Sequence, residues 1–227
     1  DRIDLLDFKA ATKSGQAVVI AISGGASGET IQITSGDAGA FSRFAGIYSR
    51  IQGGLLNVRL KREGGPLRRG TLDLRNFQVV GEPRLGSLVS TPSKQDGRSL
   101  RDAVKADIDV SVARFEIASA RLVSGNGELL ISEGVVRGPQ IGASFQGKVH
   151  DSKGRIDLTG TFMPAYGVNR LFSELPIIGV LLGNGRDRGL IGITFRLTGM
   201  AASPLLEVNP LSVIAPGVFR SIFEFRP

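Results

Sequence analysis

The chain has 227 residues, 41% of them apolar, and 28 Lys+Arg against 21 Asp+Glu give a net charge of +7. That apolar share excludes a disordered segment and suits one large β domain or two small ones. The absence of cysteine excludes disulfides, thiolate metal sites and thiol catalysis, and no apolar run reaches the roughly 18 residues needed to span a bilayer.

Glycine, at 31 residues, is about twice its usual share. Glycines and polar turn residues punctuate short apolar runs, which favours many short strands over long helices. Arg supplies 21 of the 28 cations, and guanidinium suits two-point contact with phosphates, including lipid headgroups. The chain begins at Asp1. It is read as an excised segment or a mature fragment, and any membrane anchor would lie outside it.

In chain order, Val18 to Ile22 is a β-branched run stopped by Gly24-Gly25, and Thr30 to Thr34 alternates with Ile31 and Ile33 on one side. Asp37 to Ile51 predicts a helix. Phe41, Phe44, Tyr48 and Ile51 form its stripe, Asp37 or Ser35 caps it, and Gly53-Gly54 ends it. Two strands follow, with Leu56, Val58 and Leu60 on one face and Leu72 and Leu74 across the basic turn Glu63 to Arg69. Phe77 and Val79 are out of phase with Leu72 and Leu74, which predicts a bulge at Arg75-Asn76.

Pro83 to Arg101 breaks the strand pattern. Leu85, Leu88 and Val89 predict a helical turn or two, 90–97 a loop, and 99–105 a second short helix; a sub-boundary in a single domain 1–227 would fall at 84–106. Strands resume from Ala106 and turn at Gly125-Asn126-Gly127. Strict alternation then predicts a hairpin from Ile141 to Met163. One strand places Ile141, Ala143, Phe145, Gly147 and Val149 on a single face. The other places Ile156, Leu158, Gly160 and Phe162 there, and the turn is Asp151 to Gly154. Ile191, Ile193, Phe195 and Leu197 repeat the pattern, Pro204 to Pro210 is a short strand, and Leu211 to Phe225 is read as one or two amphipathic helices.

The chemistry-bearing residues form no catalytic set. His150, the single histidine, falls on the polar parity of its strand, which fits a surface residue and leaves no triad or transition-metal site. Gly183 to Gly189 lacks the Lys-Ser/Thr of a phosphate-binding P-loop. Asp107 and Asp109 lie two apart without calcium-loop spacing. The strand aromatics Phe145, Phe162 and Phe195 share the apolar parity, away from the charges, which argues against nucleic acid. No enzyme, metal or cofactor is expected.

The segment Thr161-Phe162-Met163-Pro164-Ala165-Tyr166, with Asn169, Leu171, Pro176-Ile177-Ile178-Gly179 and Leu181-Leu182, resembles the C-terminal region of the AsmA-like superfamily of the YhdP type. Val208-Asn209-Pro210-Leu211-Ser212 with Ala215-Pro216-Gly217 and Phe219 is similar to its closing motif, and Gly36 to Ala40 with Gly46-Ile47-Tyr48 and Gly53-Gly54 to an upstream element. The likeness is strongest over 155–223 and poor over 84–106.

This resemblance implies a bridge-like lipid transfer protein. It would be periplasmic in a Gram-negative bacterium, anchored in the inner membrane by the remainder of a longer chain, and would conduct phospholipids toward the outer membrane without enzymatic chemistry. The expectation is a mainly β chain: an antiparallel, strongly curved sheet forming a groove or open sandwich, with a few short amphipathic helices. Phe145, Val149, Ile156, Leu158, Phe162, Ile193, Phe195 and Leu197 would line the groove. Leu171, Phe172, Ile177, Ile178, Leu181, Phe219, Ile222 and Phe223 would form cap helices against a membrane surface or an envelope partner protein, and Arg186, Arg188 and Arg220 would meet headgroups. A closed β-sandwich serving only as a docking module has the same alternation and stays open as the alternative.

Overall fold

The computed structural model describes residues 5–25, 28–90, 110–139, 141–164, 190–201 and 203–214. The loop and second short helix expected within 91–109, with Asp107 and Asp109, lie outside the described residues. They form one eleven-stranded antiparallel sheet in which strands adjacent in sequence are adjacent in space. The strands are β1 (Leu5–Ala11), β2 (Ala17–Gly25), β3 (Gly28–Ser35), β4 (Ile51–Glu63), β5 (Arg68–Val80), β6 (Val112–Gly125), β7 (Glu128–Arg137), β8 (Ile141–His150), β9 (Arg155–Pro164), β10 (Leu190–Met200) and β11 (Leu205–Ile214). Helix α1 (Ala38–Phe44) joins β3 to β4, and α2 (Pro83–Ser90) follows β5.

The sheet is mainly β, antiparallel and not closed: β1 and β11 are its two edges. It is nevertheless strongly curved. Helix α2 leaves β5 yet touches β11, and one apolar cluster gathers side chains from β5, β6, β8, β9 and β11 with Leu88 and Val89 of α2. A flat sheet would hold β5 and β11 six strand spacings apart, nearly 30 Å at the usual ~4.8 Å.

The two ends of the strands differ. At one, called here the lower end, β2–β3, β4–β5, β6–β7, β8–β9 and β10–β11 are joined by short turns. Asn126 (φ 55) and Gly127 (φ 75) make the two-residue left-handed turn that matches strand twist. The upper end carries α1, α2 and the long connections.

The predicted helix after Asp37 starts as expected and stops early. Asp37 caps α1, its carboxylate accepting from the Ala40 amide at 2.9 Å. The helix ends at Phe44 because Gly46 turns left-handed (φ 64). Its amide then donates to the Arg43 carbonyl, and the Ile47 amide to that of Ser42. Tyr48 and Ile51 therefore leave the predicted stripe. Ile51 opens β4, and Gly53-Gly54 lie inside that strand.

The phase change at Arg75-Asn76 is real but is not a one-strand bulge. Asn76 has φ 52 and Gly53 and Gly54 have φ 64 and 93, yet β5 keeps an unbroken register to β4 and β6 on both sides of Asn76. Leu74 and Phe77 are both buried, as are Ala118 and Phe115 of β6. The three strands exchange faces together, a crease that lets a curved sheet stay paired. The Phe77 and Phe115 rings stack across it, centroids 5.1 Å apart.

Two further expectations change. Pro210 does not close the last strand. β11 runs on to Ile214, so Leu211–Ile214 are strand and not tail helix. Pro is tolerated because β11 is an edge, and the register to β10 shifts beside it. Residues 1–34, read as an opening strand or two, hold three: β1 precedes the two marked by Val18–Ile22 and Thr30–Thr34.

The upper core is closed by α2, whose Val89 is 0% and Leu88 5% exposed. Glu82 holds the start of this helix. Its carboxylate accepts from the Arg84 amide (3.1 Å) and guanidinium (2.9 Å) and from the Tyr48 hydroxyl. Burial pushes the Glu82 carboxyl up, but the Tyr48 and Arg84 hydrogen bonds outweigh it and leave it below its usual range. Leu88→Ala is expected to cost about 2–5 kcal/mol, read as a lower urea midpoint with the slope unchanged.

Candidate functional site

Because directly paired residues of antiparallel strands share a face, the registers trace rows across the sheet. One row runs Leu6, Ile22, Ile31, Leu60, Gly70, Leu122, Ile131, Gly147, Leu158, Leu197, Leu206 and touches all eleven strands. Every member is apolar or glycine. The row above it runs Phe8, Ile20, Ile33, Val58, Leu72, Ala120. It resumes beyond the β6–β7 register shift as Gly134, Phe145, Gly160, Phe195, Val208. The opposite face of β1 to β7 presents Asp7, Ala21, Gln32, Arg59, Thr71, Arg121 and Ser132. Outer ion pairs such as Arg196–Asp157 (3.0 Å) and Arg121–Glu133 (2.7 Å) are well exposed and add little stability.

The apolar rows lie on the concave side, with α2. Two of the glycines show how large rings fit there. A Cβ on Gly160 would sit 2.5 Å from the Phe195 ring, and one on Gly134 at the same distance from the Phe145 ring. Each phenyl therefore lies across the glycine of the neighbouring strand, covering backbone that has no side chain of its own. Alternating large and absent side chains accommodates the crowding on a concave surface.

Coverage of this face is uneven. Near α2 it is sealed. Lower down, Leu60, Ile131, Leu158 and Leu197 stay partly exposed, as do Phe145 and Phe195 in the row above. Leu60 and Ile131 pack against a second buried cluster of Val58, Ala120 and Leu122, and Phe195 against the one under α2. The predicted residues Phe145, Leu158, Phe195 and Leu197 are thus brought together on one accessible wall, and Val149 and Ile156 share its parity toward the lower end and are also partly exposed. Phe162 is a correction. At 2% exposure it belongs to the cluster sealed by Leu88 and Val89, not to an accessible wall. Ile193 is placed by register alone, opposite Phe162. His150 is exposed, as expected. Leu171, Phe172, Ile177, Ile178, Leu181, Phe219, Ile222, Phe223, Arg186, Arg188 and Arg220, with the Gly183–Gly189 loop, lie outside the described residues.

One inward feature was missed. Below Ile31 the same parity places Glu29, 8% exposed, paired with Arg62 at 3.0 Å and with Arg68. The β3–β5 side of the trough thus ends in a charged cluster of one carboxylate and two guanidinium groups, while β7 to β9 continue apolar through Leu129, Val149 and Ile156. Parity with Ile31 and Ile33 is the signal that would have flagged an inward acid.

No family model, curated protein or solved structure matches the chain. Among the described residues no group of His, Cys, Asp and Glu is placed to hold a metal ion, and no helix is long and apolar enough to cross a membrane.

The lower end offers a pH test. In the β8–β9 turn the Asp151 carboxylate accepts from the Lys153 and Arg155 amides, both at 2.8 Å, and from the Arg155 guanidinium. These bonds, the Arg155 amide foremost, hold its carboxyl at about 2, below the usual 3.8. A depressed folded-state value means that the contribution is complete above the unfolded value and fades as pH falls through the folded one. The Lys153 and Arg155 amide resonances should hold their native positions down to about pH 3 and shift with a midpoint near 2. A midpoint near 4 would remove the turn from this role.

Proposed function

We propose that this chain is a non-enzymatic module that holds phospholipid acyl chains against the concave apolar face and lets them slide along it. The observation that carries the proposal is the unbroken apolar row through eleven strands, partly exposed away from α2, on a sheet whose edges do not close. Such a wall offers no directional polar groups. Each methylene buried on it contributes about 0.8 kcal/mol, so affinity grows with chain length and lipid identity matters little. The polar outer face and the charged cluster at Glu29 suit a trough whose acyl cargo lies inside and whose headgroups stay in water.

The setting follows from the resemblance of 161–182 and 208–219 to AsmA-like proteins. We place the module in the periplasm of a Gram-negative bacterium, within a longer chain anchored in the inner membrane, with phospholipids and a membrane surface or envelope partner protein as its partners. Nucleic acid is not among them. The competing function is a docking module without lipid cargo, and the sealed core under α2 is the feature that favours it.

Phe195→Glu and Leu158→Glu each put a charge on the wall. Thr159→Glu, on the exposed outer parity, is the control. Mass spectrometry of extracts from the purified chains should find co-purifying phospholipid reduced about tenfold or more in the first two, since a carboxylate against acyl chain is strongly unfavourable, and unchanged in the control. Equal lipid in all three, or an apolar dye that fails to bind the native chain, would assign the module to docking.

A further inference from the structure

We infer that the tip following α1, Phe44 to Ile47, docks the upper end of the sheet onto a bilayer containing anionic lipid. Phe44 is 82% and Ile47 68% exposed, and Ala45 and Gly46 between them are also exposed. Two large apolar side chains side by side in water forgo about 1.5–3 kcal/mol each that burial would return. Nothing in the fold requires them there: Phe41 one turn earlier already fills the inward position and is buried.

The tip is rigid rather than frayed. Gly46 (φ 64) makes the left-handed cap, the Ile47 amide donates to the Ser42 carbonyl at 2.9 Å, and the Ser42 hydroxyl both donates to the Tyr48 carbonyl (2.7 Å) and accepts from the Tyr48 amide (3.0 Å). The amides of Ala45, Gly46 and Ile47 are thus all paired within the turn, which lowers the cost of bringing it to the edge of a bilayer, where unpaired amides cost several kcal/mol.

Charge selects the partner. Arg43 inside the tip is exposed, and Arg50, which follows it at the same end of the sheet, is partly exposed. Of the neighbouring acids, Glu82 is buried beneath Tyr48 and Arg84, and Asp37 is engaged in capping the opposite end of α1. Apolar side chains flanked by arginine fit an anionic interface, where burial and charge attraction add. The exposed pair Met200 (51%) and Leu205 (64%) at the lower end lies among charges of both signs, Arg196 with Asp157 and Glu207, and lacks that bias.

The inference stands on the tip and does not depend on the trough. The test is sedimentation of the full chain with vesicles of mixed phosphatidylglycerol and phosphatidylcholine, against pure phosphatidylcholine. Binding should require phosphatidylglycerol and weaken as salt rises. Phe44→Ser with Ile47→Ser should lower vesicle partitioning about tenfold with an unchanged thermal midpoint and unchanged co-purifying lipid, while Met200→Ser with Leu205→Ser should bind as the native chain does. The chain has no cysteine, so a polarity-sensitive dye on Ala45→Cys reports the tip alone and should shift to the blue on anionic vesicles. Native-like binding by the Phe44/Ile47 variant, loss of binding by the Met200/Leu205 variant, or an unshifted dye would each overturn the inference. So would capture of a soluble protein that needs Phe44 and Ile47 while vesicle binding does not.

Discussion

An antiparallel sheet with one apolar face must find something to lay over that face, and here the sheet does not find it by closing on itself. Barrels solve the problem by pairing the first strand with the last. Here β1 and β11 remain edges, so the concave surface is hidden only as far as curvature and α2 can hide it. Curvature brings β11 within reach of α2 and lets Leu88 and Val89 seal the upper rows. The lower rows keep apolar side chains that are only partly covered, around the small buried cluster of Val58, Ala120 and Leu122. The rest of the structure follows from that arrangement, including the phenyl rings laid over Gly134 and Gly160 to spare room on the inside of the bend.

The two ends of the trough are built by different means. The lower end has tight turns, a buried Glu29 paired with Arg62 and Arg68, and a turn pinned by Asp151. Each feature holds backbone in place without adding bulk. The upper end has helices, a sealed core and the exposed apolar tip. Tyr48 links the two halves of that upper end. Its neighbour Ile47 is in the tip, and its hydroxyl donates to Glu82, the residue that starts α2. The upper end presents the large apolar side chains Phe44 and Ile47 beside the exposed Arg43.

Much of the sheet was legible in the sequence because burial on one face imposes a period of two. The hairpin of β8 and β9, its Asp151–Gly154 turn and the Asn126-Gly127 turn are where alternation and turn residues placed them. The failures have physical causes. The stripe Phe41, Phe44, Tyr48, Ile51 fits a helical period, but Gly46 ends the helix, and the later members were coincidence. Pro210 reads as a stop, yet an edge strand does not need its amide. In β1 the alternation is short, Leu6 and Phe8 against Asp7 and Lys9, and its edge position leaves most of it exposed. Of the wall, Phe145, Leu158, Phe195 and Leu197 followed from parity. Phe162 shares their parity but not their exposure, since parity reports which face a side chain takes and not what lies above it.

The sequence by itself determined a mainly β chain, the face each strand turns inward, the tight turns and the absence of thiol chemistry, because these depend on residues within a strand's length of one another. Only the tertiary structure decided that the strands form a single unclosed sheet, that three of them exchange faces along one crease, that Glu29 meets two arginines from other strands, and that α2 seals the upper rows while the lower ones are buried at Val58, Ala120 and Leu122 and partly exposed elsewhere. Those outcomes depend on curvature, which sums small twists over eleven strands and is carried by no single segment of the chain.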